Sequence, residues 1–296
     1  MDSIELLEIY CKMEQEDKEY SALPWSDLSD VQLRAGEVSV WGGDSNHGKT
    51  TLIYMALLSW ISQGKKVAID SHEMPPERMM NALSKMFARR GAIDGEGRRD
   101  FAAPFANWST GSVRLLPKGE GKNINQIIDD MREFKHLDHY IIDNLMTTVS
   151  NTSASSQVNN NIYIQQVVMN KLTDAASELN MHVHVIAHTG KPNKDSDQMN
   201  SISGAKEIVN LATNMFIVER LYEADVRKLK CNSIITQIKR RYEPEGGVLI
   251  ERQNGARPEA RLKLDMASGQ LTKDGTPINF TKHYNDAQAL TTKENK

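Results

Sequence analysis

Residues 43–50 read Gly-Asp-Ser-Asn-His-Gly-Lys-Thr, a complete match to the pattern G-x-x-x-x-G-K-[ST]. Residues 37–41 before this stretch alternate like a β-strand, and residues 51–60 after it have the composition of a helix. A strand, a glycine-rich loop and a helix in this order form a phosphate loop, whose backbone amides and helix amino terminus attract phosphate oxygens. The stretch therefore predicts a nucleoside triphosphate site.

Several residues of this loop have a predicted role. Gly43 and Gly48 allow the backbone to approach phosphate oxygens closely. Lys49 is expected to contact the β- and γ-phosphates, and the Thr50 hydroxyl to ligate Mg²⁺. His47 is expected to contribute mainly its backbone amide. ATP and Mg²⁺ are thus the predicted cofactors, and the predicted ATP contacts within this segment are Gly43, Asp44, Ser45, Asn46, His47, Gly48, Lys49, Thr50 and Thr51.

Composition limits the class of protein. A chain of 296 residues is long enough for one large domain with a substantial core. The net charge of −3 argues against a broad basic face, although a ring-shaped protein can concentrate positive charge in a central channel. Two distant cysteines, Cys11 and Cys231, suggest a reducing compartment. No apolar run is long enough to span a membrane and no secretory signal is evident, so we expect a cytoplasmic protein without a membrane partner.

Strand and helix patterns alternate along the chain, which predicts an α/β fold with a mostly parallel sheet and helices on both faces. Residues 91–124 show no clear period and are expected to be irregular up to the helix of 124–134. Two polar stretches, 150–161 and 190–203, are expected to be loops. The predicted organisation is a linker helix and loop over 1–30, an ATPase domain over 31–284 and a frayed tail over 285–296. The predicted strands beyond the first are 65–71, 139–143, 181–187, 214–218 and 233–238.

Hydrolysis requires acidic residues in addition to the phosphate loop. Asp143 ends the apolar strand 139–143, where a carboxylate can hold Mg²⁺ beside Thr50; the alternative is a simple cap of the following turn. Glu73 lies just beyond the strand that precedes it, at the edge where such sheets bind ligands. It is a candidate general base for the attacking water, and Asp70 competes with it for that role.

Six segments resemble DnaB-type replicative helicases, in the same order along the chain. Ser-His-Glu-Met-Pro-Pro-Glu-Arg-Met at 71–79 is similar to the family segment that carries the catalytic glutamate. Tyr-Ile-Ile-Asp-Asn-Leu at 140–145 resembles the family's Walker B strand. The remaining segments are Arg-Ala-Gly-Glu-Val at 34–38, Val-His-Val-Ile-Ala-His at 183–188, Ser-Gly-Ala-Lys-Glu-Ile at 203–208, and Lys-Arg-Arg at 239–241 followed by Pro-Glu-Gly at 244–246.

This resemblance implies a RecA-like P-loop motor domain that forms a ring, expected to be a hexamer, on single-stranded DNA during replication in a bacterium or phage-infected cell. It implies that Glu73 is the base, that His188 senses the γ-phosphate, and that Lys239 and Arg241 reach the ATP of a neighbouring subunit. A separate primase or loader is a further implied partner, since the family's amino-terminal domain has no counterpart here. The implied DNA contacts are Lys191, Lys194, Ser203, Gly204 and Lys206.

Other functions remain open on sequence alone. A RecA-type recombinase shares the fold and the nucleotide chemistry, and a regulatory P-loop ATPase needs no DNA. The histidines at 182, 184 and 188 alternate onto one strand face, as in some zinc sites, but they lack an evident fourth ligand. We expect His182 and His184 to be packed, hydrogen-bonded core residues.

Overall fold

The computed structural model describes most of the nucleotide-binding fold. The described residues are 2, 4, 7, 20–118, 121–134, 136–156, 161–188, 208, 210–240 and 258–281. Several predictions fall outside the described residues: most of the linker helix, the loop 190–203, the tail 285–296, Arg241, and the DNA contacts Lys191, Lys194, Ser203, Gly204 and Lys206.

Among the described residues, a nine-stranded mixed sheet forms the centre of the fold, with the order β3-β2-β4-β5-β1-β6-β7-β8-β9. Strands β1 to β6 run parallel, which confirms the predicted α/β class. The strands are β1 (Val38–Gly43), β2 (Val67–Ser71), β3 (Val113–Leu115), β4 (His139–Asp143), β5 (His182–His188), β6 (Asn214–Arg220), β7 (Ser233–Arg240), β8 (Glu259–Leu264) and β9 (Leu271–Thr272).

Helices cover both faces of this sheet, as predicted. Successive side chains along a strand point to opposite faces of the sheet, so that Trp41 faces one core and Val40 faces the other. Helices α1, α2 and α3 pack on the first face, and α4, α5 and α6 pack on the second. The helices are α1 (Lys49–Ser62), α2 (Pro76–Ala88), α3 (Arg98–Trp108), α4 (Ile124–Glu133), α5 (Leu145–Ser156), α6 (Asn161–Leu179) and α7 (Glu223–Leu229).

The segment 21–33 packs against the first core. Ser21 and Leu33 form an antiparallel bridge. The buried Trp25 donates from Nε1 to the carbonyl oxygen of Leu271 at 2.9 Å. Residues 21–30, which the sequence suggested as part of a linker, thus share their core with the phosphate-loop helix. The boundary of the ATPase domain itself stays a prediction.

Two predicted irregular regions are corrected by the structure. The 91–124 region contains α3 and β3, because Phe105 buries its ring in the first core beside Phe87 of α2 and gives the helix a tertiary partner. The predicted loop at 150–161 instead continues α5 through Ser156, where the Thr152 hydroxyl accepts from the amide of Ile124 at 3.0 Å. The polar sequences of α3 and of the second half of α5 gave no helical pattern. The contacts that stabilise these two helices come from segments distant in the sequence.

Glu37 lies buried beside the first residue of β6, and this position has a measurable consequence. Burial raises the pKa of its carboxyl group to about 7, although Arg34 and Asn214 oppose the shift. A proton held more tightly in the folded state makes stability fall as the pH rises from about 4.5 through 7. We expect Glu37→Gln to remove this loss, on the order of 3 kcal/mol at most.

The measurement is urea unfolding of both proteins at pH 5 and pH 8. The variant should gain stability relative to the wild type at pH 8, with a smaller difference at pH 5. Glu133→Gln, at an exposed site on α4, controls for loss of a carboxylate. An equal difference at both pH values would contradict the interpretation.

Candidate active site

The phosphate loop leaves the carboxyl end of β1 and enters α1. Gly43 makes a close approach that requires glycine, because a Cβ atom there would lie 2.5 Å from the carbonyl oxygen of Val218. Gly48, at the start of α1, adopts a left-handed φ of 89° that favours glycine. The imidazole Nδ1 of His47 lies 3.3 Å from the same Val218 oxygen, which ties this side chain to β6. Both glycines of the pattern therefore have a steric role.

Lys49 lies inside the curve of the loop. Its ammonium donates to the carbonyl oxygens of Gly43 and Asp44 at 2.8 and 2.9 Å, and to Nδ1 of His188 at 3.2 Å. Burial lowers the pKa of the Lys49 ammonium, and nearby carboxylates oppose that shift. The geometry thus places a partly desolvated cation next to His188, one strand away from β1.

Thr50 and Asp143 meet across the site. The Thr50 hydroxyl donates to Oδ2 of Asp143 at 3.3 Å, and the Ser71 hydroxyl lies 3.5 Å from the same oxygen. Burial, followed by the charge of Glu73, raises the pKa of the Asp143 carboxyl group to about 6. A carboxylate and a hydroxyl beside a phosphate loop are the oxygen ligands that fit Mg²⁺, whose charge would offset this repulsion.

Glu73 reaches the same cavity from the end of β2. Its Oε1 lies 3.3 Å from Nε2 of His188 and accepts a hydrogen bond from the Asn144 amide. Asp70, the competing candidate, is instead buried and hydrogen-bonded to Lys122 at 3.1 Å and to the Tyr140 hydroxyl at 3.3 Å. Glu73 lines the cavity whereas Asp70 does not, so the geometry favours Glu73 as the base.

The cavity has a volume of about 870 Å³ and extends beyond the phosphate loop. This size suits a nucleotide. Its outer part contains residues that the sequence analysis did not single out, among them Tyr222, Val226 and Leu264. No sequence pattern indicated these residues, because they reach the cavity only when β7 and β8 fold back beside β6 in antiparallel order.

Three buried histidines, at 139, 182 and 184, have their rings in contact, and two of them, His139 and His184, are hydrogen-bonded to each other. Trp41 donates to Nδ1 of His184 at 3.3 Å, so His184 carries its proton on Nε2, 3.1 Å from Nδ1 of His139. His182 lies 2.8 Å from the Ser39 hydroxyl. Burial lowers the pKa of all three imidazoles. The prediction that His182 and His184 are packed core residues is confirmed. Among the described residues, no group of three or more His, Cys, Asp or Glu side chains is arranged to hold a metal.

Lys239 lies at the opposite edge of the sheet from the phosphate loop. Its ammonium donates to the carbonyl oxygens of Asn210 and Ala212 at 3.1 and 2.7 Å. The next residue, Arg240, pairs with Asn214 at the first position of β6. The residue of β6 that lines the cavity, Arg220, is at the other end of the strand, about 20 Å away at the rise of a β-strand. Lys239 is therefore remote from the phosphate loop of its own chain.

The arrangement matches a known family. A family profile described as an AAA domain matches residues 19–194. The chain belongs to this family. Its fold is also similar to three solved structures. The first is a solved ATPase domain, with a TM-score of 0.67 and 13% identity over 92% of this chain and 99% of that chain.

The second structure contains a DnaB-like replicative helicase and describes its interactions with primase. It has a TM-score of 0.65 and 13% identity, over 92% of this chain and 66% of that chain. The third is the RadB recombinase, with a TM-score of 0.54 and 15% identity over 86% of this chain and 99% of that chain. The predicted resemblance to a DnaB-type motor with a RecA-like core is confirmed at the level of the fold.

Helix length and apolar character together decide whether a segment can cross a bilayer. In the ranges that the structure describes, no helix of this AAA-domain chain combines the two to the extent that a membrane span needs.

Proposed function

We propose that this protein hydrolyses ATP with Mg²⁺ in the cavity at the carboxyl ends of β1, β2, β4 and β5. One observation carries the proposal: Lys49, Thr50, Asp143, Glu73 and His188 come from four separate segments and line a single cavity. Lys49 would hold the β- and γ-phosphates, and Thr50 and Asp143 would hold the metal. Membership of the AAA domain family supports ATP binding and hydrolysis.

In this mechanism Glu73 accepts the proton of the attacking water, because its carboxylate is half exposed to the cavity. The Nε2 atom of His188 would contact Glu73 while its Nδ1 stays beside Lys49, so the imidazole links the base to the phosphate end of the site. Bound Mg²⁺ would supply charge compensation for the phosphate oxygens.

We further propose that the chain works as a ring-forming helicase or translocase on single-stranded DNA, with a hexameric assembly and a replication role. Its fold similarity to a solved ATPase domain and to a DnaB-like replicative helicase supports this proposal. The location of Lys239 supports a shared active site, since a cation at that edge can reach a phosphate loop only on another subunit. The predicted DNA contacts at 191–206 and a primase or loader partner belong to the same proposal.

The deciding experiment measures ATPase rates with and without single-stranded DNA, together with the mass of the assembly with ATP and Mg²⁺. We expect a ring-sized assembly and a rate that increases when single-stranded DNA is added. A monomer whose ATPase rate does not change when DNA is added would favour the alternative function as a regulatory ATPase.

A recombinase is the second candidate, and the fold similarity to RadB is the observation that favours it. Strand separation and strand exchange distinguish the two. Unwinding of a forked duplex without pairing of homologous DNA would support the helicase, and homologous pairing without unwinding would support the recombinase.

A further inference from the structure

Asn144 follows Asp143 at the end of β4, and its amide is held in one orientation. Its Oδ1 accepts hydrogen bonds from the backbone amide of Thr147 at 3.1 Å and from the Thr147 hydroxyl at 3.2 Å. Two donors at the same atom identify it as the oxygen and leave the amide nitrogen on the other side. The Asn144 side chain is buried, so water does not compete for these bonds. The first turn of α5 therefore orients this amide.

The amide nitrogen of Asn144 donates to Oε1 of Glu73. The same oxygen lies 3.3 Å from Nε2 of His188. Lys49 donates to Nδ1 of His188 at 3.2 Å, which makes Nδ1 the acceptor and places the proton of a neutral imidazole on Nε2. Oε1 thus receives two donors, one from β4 and one from β5. Within the described part of the chain, no hydrogen bond to Oε2 of Glu73 occurs, and the half-exposed Glu73 side chain lines the cavity.

We propose that Asn144 is a positioning residue that anchors Oε1 of Glu73 and so directs Oε2 at the attacking water. The inference rests on the proposed role of Glu73 as the general base. A glutamate on the loop after β2 has several rotamers, and a single contact from His188 leaves rotation about that contact. A second donor from the opposite side removes this freedom. Displacement of a reacting group by about 1 Å can lower a rate about 10²-fold.

The test compares three variants in ATP hydrolysis and in binding of a fluorescent ATP analogue. Asn144→Ala should lower kcat about 10²-fold and leave the Kd of the analogue and the Mg²⁺ concentration for half-maximal rate unchanged. Thr147→Val keeps the amide donor but removes the hydroxyl donor, so a smaller loss of kcat is expected. Thr148→Val is the matched control, because the buried Thr148 hydroxyl has no hydrogen-bond partner among the residues that the structure describes.

A double-mutant cycle separates positioning from general support of the fold. If Asn144 acts through Glu73, adding Asn144→Ala to Glu73→Gln causes no further loss in single-turnover hydrolysis. An equal loss in both backgrounds, or a wild-type kcat for Asn144→Ala, would overturn the proposal. If Asn144→Ala fails to fold in thermal melting, the comparison of Thr147→Val with Thr148→Val decides, and equal rates for that pair reject the role.

The role of Glu73 as the base and the positioning role of Asn144 are tested by different results. A wild-type rate of ATP hydrolysis in the Glu73→Gln variant would show that Glu73 is not the general base. An inactive Glu73→Gln together with a fully active Asn144→Ala would leave that assignment intact and remove the positioning role alone.

Discussion

Arg241→Ala is expected to lower the ATPase rate by about 10³- to 10⁵-fold, the range seen for arginine fingers, while each subunit still binds ATP. Arg241 directly follows Arg240, the last residue of β7, which pairs with Asn214 at the sheet edge away from the phosphate loop. The described end of β7 thus lies away from the phosphate loop of the same chain. We therefore propose that Arg241 acts at the γ-phosphate of a neighbouring subunit.

The measurement is steady-state ATPase activity with single-stranded DNA, beside binding of a fluorescent ATP analogue. Mixing gives the sharper result. Inactive Arg241→Ala subunits combined with inactive Glu73→Gln subunits should recover some hydrolysis, since certain interfaces then join an intact Glu73 to an intact Arg241. Normal ATP hydrolysis by the Arg241→Ala variant alone would contradict an active site shared between subunits and would favour the regulatory ATPase as the function.

Glu73→Gln should stop hydrolysis and preserve ATP binding, with a loss of about 10²- to 10⁴-fold as for other general bases. Glutamine keeps an oxygen that can accept the bonds from Asn144 and His188, so the change removes basicity with little change of shape. Binding of the ATP analogue and single-turnover hydrolysis at saturating enzyme separate the two effects.

Asp70→Asn is the matched control, because this second acidic residue lies three positions earlier and contacts Lys122 away from the cavity. The attraction of Lys122 and His72 outweighs burial and lowers the pKa of the Asp70 carboxyl group. Its replacement should therefore reduce thermal stability more than kcat. A large loss of kcat in Asp70→Asn with an active Glu73→Gln would reverse the assignment of the base.

Local patterns in the sequence determined the nucleotide site and the fold class. The Gly43–Thr50 pattern covers eight adjacent residues, and Gly48 meets a local backbone requirement at the start of α1, whereas the close approach of Gly43 to Val218 arises from β6 packing beside β1. Alternating apolar residues predicted β1, and short apolar runs predicted β2, β4, β5, β6 and β7, as is typical of strands that are buried on both faces of a parallel sheet. Asp143 could be identified in the same way, as the acidic end of an apolar strand.

Long-range packing decided what the sequence left open. By position alone Glu73 and Asp70 compete as the general base, and the family resemblance favours Glu73; the structure adds that Asp70 accepts hydrogen bonds from Lys122 and Tyr140, 52 and 70 positions away. The role of Asn144 depends likewise on meeting Glu73, 71 positions apart. Helix α3 and strands β8 and β9 were not predicted from the sequence, because tertiary contacts rather than local patterns stabilise them. Periodicity records which residues are buried, whereas partner choice at a site depends on how separate segments pack, and that is a property of the folded chain.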